Sequence, residues 1–135
     1  MKTARQIAFE ALNKIERDNS YSNLTLDSFL YSAQLSKTDS GFVSALVYGV
    51  LERTITLDYC LSRHLKQPIK KLKPQVLTAL RLGTYQLLFM DKIPRSAAVN
   101  ESVTLVKKNG CAFASGLTNA VLRAVAKEGL VLPDE

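Results

Sequence analysis

The sequence has few of the residues on which metal and cofactor chemistry depends. Its 135 residues include no tryptophan, two cysteines and one histidine. Cys60 and Cys111 lie far apart and form no C-x-x-C pair, so a zinc site is not expected. The phosphate-binding motifs G-x-G-x-x-G and G-x-x-x-x-G-K-[ST] are absent, and so is the G-x-S-x-G motif of a serine nucleophile. The sequence therefore predicts no metal and no nucleotide cofactor bound within these residues.

One nucleophilic pair is conceivable, because Cys60 and His64 are four residues apart and share a helix face. No third residue that would orient the histidine is evident. The acidic residues are scattered, which gives no support to paired-carboxylate chemistry. A half-buried cysteine beside a surface histidine is the favoured interpretation, and no catalytic residue is assigned.

Long apolar runs are also missing. The segment Met1–Arg5 lacks the apolar stretch of a signal peptide, and no run reaches the roughly 18 apolar residues of a membrane span. We expect a cytoplasmic protein without a membrane segment, in which both cysteines are reduced.

Positive charge is in moderate excess, with 18 Lys and Arg against 12 acidic residues and a pI of about 9.4. Such a balance favours an anionic partner such as nucleic acid but does not require one. The stretch from Tyr59 to Met90 carries six basic residues and no acid. Its lysines at 70, 71 and 73 are either a solvated loop or a phosphate-contacting patch, and the sequence leaves the two interpretations balanced.

Helical periodicity dominates the rest of the chain. The most apolar stretch, Leu77–Pro94, predicts a central helix that neighbouring helices cover on nearly every side. A capping box at Thr3 and Gln6 begins the first helix, and a turn is predicted at residues 18–23. A short second helix is expected to turn Leu26, Phe29, Leu30 and Ala33 inward. No segment alternates like a strand, so the predicted fold is an all-α bundle of about six to seven helices.

The third helix is predicted to begin at a Ser36 cap and to approach thirty residues, because its apolar stripe continues through Leu65. Thr54 and Thr56 mark a possible bend within it. Mid-helix Gly49 is explained by close approach of another helix.

Several individual residues are assigned structural roles. Gly83 allows close helix packing, and Asn119 bonds a free backbone group. Glu101 is expected to pair with Arg81 or Arg123 across helices. Arg81 on the central helix is expected to act as a strut, and the sequence does not decide whether Arg81 or Tyr85 touches RNA.

Three segments together carry a family resemblance: Leu80–Pro94, Ala98–Glu101 and Gly116–Arg123, with Arg5, Ala8 and Leu12 at the front. In order and spacing they resemble the NusB-like domain at the start of the RsmB (Sun/Fmu) rRNA cytosine-5 methyltransferases. The resemblance covers essentially the whole chain.

The resemblance implies an all-α NusB-like fold of two small helical bundles packed together. It implies an RNA-binding domain at residues 1–129, and residues 130–135 as the start of a linker to a catalytic domain absent from this chain. The expected partners are small-subunit rRNA and that catalytic domain, which would use S-adenosylmethionine. By itself the chain would not be an enzyme, and Cys60 and Cys111 match no catalytic motif.

In NusB relatives, RNA contacts are associated with the basic start of the first helix and with nearby basic positions. Here this points to Lys2 and Arg5, and to the lysines Lys70, Lys71 and Lys73. The helix dipole favours acidic residues at the start of a helix, so the basic Lys2 and Arg5 are mildly unfavourable there, which is a weak indication of a role in binding. Two solvated charges are the simpler interpretation. Two other functions remain open: a module that docks the catalytic domain, and a stand-alone NusB-type antitermination factor.

Overall fold

The structure, a computed structural model, describes residues 2–19 and 23–134. In this part of the chain it contains seven α-helices, two short 3-10 helices and no strand, which confirms the predicted fold class. The α-helices are α1 (Ala4–Asp18), α2 (Asn23–Ala33), α3 (Lys37–Glu52), α4 (Thr54–Ser62), α5 (Pro74–Phe89), α6 (Arg95–Lys108) and α7 (Ser115–Glu128). The 3-10 helices are Ile69–Lys71 and Ala112–Ala114. Residues 20–22 of the turn predicted at 18–23 lie outside the described residues.

The helices pack in two groups around one continuous core. Helices α1, α2 and α3 contact one another, and α4 to α7 form the second group. Helix α5 joins the groups because it also contacts α1 and α3. In α2, Leu26 is buried and Phe29, Leu30 and Ala33 pack half-buried against the core, which confirms the predicted inward face.

The capping residues of α1 explain where the helix begins and where it ends. The Thr3 hydroxyl accepts a hydrogen bond from the Gln6 backbone N–H at 3.1 Å, as the capping-box spacing predicts. The Gln6 side chain does not return to Thr3 but bonds Asn109 at the end of α6. Helix α1 ends at Asn19, whose φ of 52° is a left-handed conformation that asparagine tolerates.

The prediction of one long third helix is wrong, because α3 and α4 are separate helices. Arg53 interrupts them with a φ of −115° and a ψ of 19°. The Thr54 hydroxyl donates to the Val50 carbonyl at 2.7 Å, a side-chain bond that bends helices. The change of direction lets Leu57 and Leu61 of α4 be fully buried.

Helix α5 is the central helix that its apolar sequence predicts. It contacts α1, α3, α4, α6 and α7. Its buried residues are Val76, Thr78, Ala79, Leu80, Leu82, Gly83, Thr84 and Gln86. Each fully buried leucine contributes about 1.5–3 kcal/mol to folding relative to an exposed one.

Two glycines allow helices to approach α5 closely. A Cβ at Gly49 of α3 would overlap the ring of Tyr85 on α5. A Cβ at Gly83 of α5 would lie 2.6 Å from Leu122 Cδ1 and 2.6 Å from Ser102 Oγ. The close approach expected at both positions is therefore present, and Tyr85 is packed within the fold, where it also stacks on Phe89.

Arg81 pairs with a different acid from the one predicted. Its Nε and Nη2 each donate to a carboxylate oxygen of Asp58 on α4 at 2.8 Å, and Glu16 lies 3.9 Å away. Burial lowers the pKa of Arg81, but the hydrogen bonds and charge of Asp58 outweigh it and raise the pKa above its usual value. The expected pairing of Glu101 with Arg81 or Arg123 is wrong, because the start of α4 at Thr54 places Asp58 against α5.

The Arg81–Asp58 pair generates a stability prediction. The substitution Asp58→Ala leaves a largely buried guanidinium without its partner, so we expect a loss of about 3 kcal/mol in the free energy of unfolding. The control Glu16→Ala removes a mostly exposed carboxylate and should cost under about 0.5 kcal/mol. Urea unfolding measures both. Equal losses would contradict a special role for Asp58.

The packing at Gly83 generates a second prediction. The substitution Gly83→Ala forces Leu122 and Ser102 apart and should cost about 1–3 kcal/mol by overpacking. The control Gly41→Ala adds a Cβ with no heavy atom within 4 Å on an exposed turn of α3. It should be neutral or stabilise by about 0.5–1 kcal/mol. Thermal unfolding of both variants is the measurement, and a stabilised Gly83→Ala would refute the account of this contact.

Candidate nucleic-acid interface

Arg5, a candidate from the sequence, is partly buried and makes its contacts within the fold. Its Nε donates to Gln86 Oε1 at 2.8 Å, and its Nη1 lies 3.7 Å from Glu101. The guanidinium also lies 5.2 Å from the ring centre of Phe42. Burial lowers the pKa of Arg5, and the charge of Glu101 partly opposes this. Arg5 thus links α1 to α3, α5 and α6, and its side chain also lines a cleft beside Lys2.

Lys2 is an exposed candidate. Its Nζ contacts Glu10 Oε1 at 2.8 Å, and its side chain is 59% exposed. An exposed pair of this kind contributes at most about 1 kcal/mol. A phosphate can therefore replace Glu10 as the partner of Lys2 at little cost.

The lysines before α5 are also on the surface. Lys70 and Lys71 are exposed, and neither makes an ion pair with any residue that the structure describes. Lys73 is different, because its Nζ lies 5.7 Å from the ring centre of Phe113. The Phe113 ring is 72% exposed, which is unusual for a phenylalanine and leaves its other face open.

One loop, residues 109–114, lies beside both Lys73 and the start of α1. Asn109 exchanges two hydrogen bonds of 2.9 Å with Gln6 near the start of α1. Phe113, four residues later, contacts Lys73 at the start of α5. Lys2 and Lys108 line the same cleft, which has a volume of about 340 Å³ and has Glu101 on its wall.

We call this region the lysine surface. It consists of Lys2, Lys73, Lys107, Lys108 and Phe113. Within residues 2–19 and 23–134, Lys107 and Lys108 have no acidic partner. The arrangement offers charges for a phosphate backbone and one aromatic ring on which a base can stack.

Sequence reasoning missed three members of the lysine surface. The paired lysines Lys107 and Lys108 suit the negative end of α6, and this local reason does not by itself indicate binding. A signal was present, because an aromatic residue follows two lysines within a short turn. Its position opposite Lys73 and near Lys2 depends on long-range packing that local sequence does not show.

The remaining candidates have structural surroundings. Cys60 is buried, and its thiol donates to the Val131 carbonyl at 3.2 Å. His64 Nε2 lies 3.1 Å from Glu128, which also binds Arg63 through two 2.8 Å bonds. The bonds to Arg63 lower the pKa of Glu128 to about 2. Cys60 and His64 thus have different partners and form no nucleophilic pair.

The structural role expected of Asn119 is not supported. It is half-buried on α7, and its side chain makes no hydrogen bond to any part of the chain that the structure covers. Among those same residues, no three His, Cys, Asp or Glu side chains are grouped to hold a metal ion. No helix there is long and apolar enough to cross a membrane.

A family model described as the NusB family matches residues 2–127. The chain belongs to the NusB family. The expected NusB-like fold is confirmed by solved structures. A Thermotoga maritima NusB structure has a TM-score of 0.85 and 27% identity, and the match covers 97% of this chain and 96% of that one. NusB in a crystal structure with NusE and dsRNA has a TM-score of 0.84 at 25% identity, covering 93% and 94%.

Two kinds of relative share this NusB-family sequence. A probable ribosomal RNA small subunit methyltransferase B from Bacillus subtilis is 41% identical over 128 residues. That match covers 95% of this chain but only 28% of the relative, so the chain spans less than a third of the methyltransferase. The transcription antitermination protein NusB of Ruminiclostridium cellulolyticum is 31% identical, with 96% of this chain and 90% of the relative covered.

Proposed function

We propose that this NusB-family domain binds small-subunit rRNA and helps to position it for a cytosine-5 methyltransferase domain of the same cytoplasmic protein. S-adenosylmethionine would bind in that second domain, and residues 130–135 would begin the linker to it. Support comes from the 41% identity to a probable small-subunit rRNA methyltransferase, against 31% to a NusB antitermination protein. Under this proposal the chain binds RNA and transfers no methyl group by itself.

The lysine surface is the observation that carries the proposal. Four lysines from α1, α5 and α6 lie around one loop, and only Lys2 has an acidic partner in the described structure. Lysine is a flexible point charge that contacts phosphates without demanding a fixed geometry. Such contacts position an RNA without reading its sequence. This suits a domain that holds rRNA while another domain selects the base.

Each side chain has a stated role in this binding. Lys73, Lys107 and Lys108 contact backbone phosphates, and Lys2 exchanges Glu10 for a phosphate. Phe113 offers its open face to an unpaired base, a contact worth about 1–3 kcal/mol. Arg5 holds the start of α1 in place through Gln86 and Glu101, and so acts on RNA only indirectly.

The test is a titration with small-subunit rRNA fragments at several salt concentrations. Replacing Lys73, Lys107 and Lys108 together by glutamine should lower the log–log salt slope by about two, since each phosphate contact contributes about 0.7 on a single strand. The affinity at low salt should fall at least about tenfold.

The matched control for this titration is the triple variant Lys37→Gln, Arg53→Gln and Lys66→Gln. It removes the same charge from exposed positions outside the lysine surface. If both triple variants lose a small and similar amount of RNA affinity, the loss is explained by net charge alone and not by the lysine surface. Absence of binding by the unmodified domain at low salt would refute the proposal.

A stand-alone antitermination factor is the second candidate. It is favoured by the 90% coverage of the Ruminiclostridium cellulolyticum NusB, which is about as long as this chain. Sequencing the natural gene beyond the codon for Glu135 separates the two. Continuation into a methyltransferase sequence supports the first proposal, and a stop codon supports the second.

A module that docks the catalytic domain is the third candidate. Its support is the exposed apolar residues near the end of the chain, where Leu130 and Leu132 flank the Val131 carbonyl bonded by Cys60 of α4. Mixing this domain with the separated catalytic domain tests it. Binding that Leu132→Asp weakens while RNA affinity stays unchanged would favour docking as the main role.

A further inference from the structure

A second group of cations lies at the other end of the α6–α7 pair. The start of α6 and the last two turns of α7 enclose an open cleft of about 490 Å³. Its walls include Arg95, Arg123 and Lys127, together with Ser96 and Asn100. Among the described residues, none of those that line it is acidic. We call it the arginine cleft.

The three cations of the arginine cleft are not neutralised. In the portion of the chain that is described, none makes an ion pair or a side-chain hydrogen bond, and all three are exposed. Other arginines of the domain differ, because Arg81 and Arg63 each bind a carboxylate with two hydrogen bonds. Three like charges around one concavity raise the local positive potential and attract an anion.

The first turn of α6 adds donors at the same place. Pro94 precedes the helix and provides no side-chain cap, and the turn contains no acid. The first N–H bonded back to Pro94 is that of Ala98, so the preceding amides have no partner within the helix. Free amides at a helix start favour phosphate, and here they accompany the cations and the Ser96 hydroxyl.

The exposed face of α6 connects the arginine cleft to the lysine surface. Ser96, Asn100 and Lys107 are spaced by four and seven residues, so they lie on one face of the helix. All three are exposed, and Glu101 lies on a different face. With a rise of 1.5 Å per residue, Arg95 and Lys108 are about 20 Å apart along the axis.

We propose that the arginine cleft is a second phosphate-binding site for the same RNA that occupies the lysine surface. The RNA follows α6, with one phosphate group at the lysine surface and another about 20 Å away in the cleft. This inference rests on the proposed RNA-binding function. The three cations and the open shape of the cleft suit a charged backbone.

The length of the RNA distinguishes binding at both sites from binding at one site. At roughly 3 Å per base-pair step of an A-form RNA duplex, 20 Å corresponds to about seven steps. A four-base-pair hairpin is therefore too short to reach both sites, and a twelve-base-pair hairpin is long enough. The variant is Arg95→Gln, Arg123→Gln and Lys127→Gln together, with the Lys37, Arg53 and Lys66 triple variant as the charge-matched control. Circular dichroism checks that each variant folds.

We expect the arginine-cleft variant to bind the long hairpin at least about tenfold more weakly at low salt, with a salt slope reduced by about two. Its affinity for the short hairpin should equal that of the unmodified domain. An unchanged affinity for the long hairpin, or an equal loss in the control variant, would overturn the inference. If the Lys73, Lys107 and Lys108 variant still loses affinity in that case, the proposed RNA-binding function stands.

Two further outcomes separate this inference from its alternatives. If the unmodified domain binds neither hairpin, the RNA-binding function and the arginine cleft both fail. Inorganic phosphate, titrated while the amide signal of Ser96 is followed by NMR, tests for a small-anion site. A response to phosphate without one to the long hairpin would overturn the proposal in favour of a small-anion site.

Discussion

The structure depends on the need of α5 to be covered along its whole length. Eight of its residues are buried, including the polar Thr78, Thr84 and Gln86, so helices must lie on all sides of it. The covering helices come from both ends of the chain, which brings α1 next to α6 and places α7 beside α4. The glycines at 49 and 83 let two of these contacts become close. The lysine surface and the arginine cleft are consequences of this arrangement, because both form where the covering helices begin or end.

The burial of α5 also separates the positive charges into two classes. Arg5 and Arg81 lie against it, and each has hydrogen bonds within the fold. The lysines at the helix ends and the three cations of the arginine cleft remain outside, mostly without acids. Removing the partner of a buried cation would lower the free energy of unfolding by several kcal/mol, whereas an exposed cation exchanges partners with little change in that free energy. Only the second class is suited to reversible binding of phosphate.

The α6–α7 pair gives the domain a direction along which an RNA can lie. Its two ends carry separate positive surfaces, with the lysine surface near the start of α1 and the arginine cleft at the other end. A single surface fixes one point of a flexible RNA, but two points about 20 Å apart fix its orientation as well. In a methyltransferase, orientation decides which base reaches the catalytic domain, so a two-point contact would serve the proposed positioning role.

The sequence by itself determined the fold class, the central helix and most helix starts, because these depend on local periodicity and capping. The Thr3 and Ser36 caps and the buried stripe of α5 were predictable for this reason. The sequence indicated only a bend near Thr54 and not the end of α3 at Glu52, since that break depends on the bond of the Thr54 hydroxyl to the Val50 carbonyl and on the packing of α4.

Only the tertiary structure decided which charges pair and which charges meet on one surface. Arg81 binds Asp58 although Glu101 was its expected partner, and Arg5 binds Gln86 although the sequence predicted no partner for it within the fold. Lys2 and Lys73 are brought around the same loop by contacts of Asn109 and Phe113, residues more than 35 positions away from either lysine in sequence. Ion pairs and binding surfaces join residues distant in the chain, and their partners are selected by packing, which local sequence patterns do not specify.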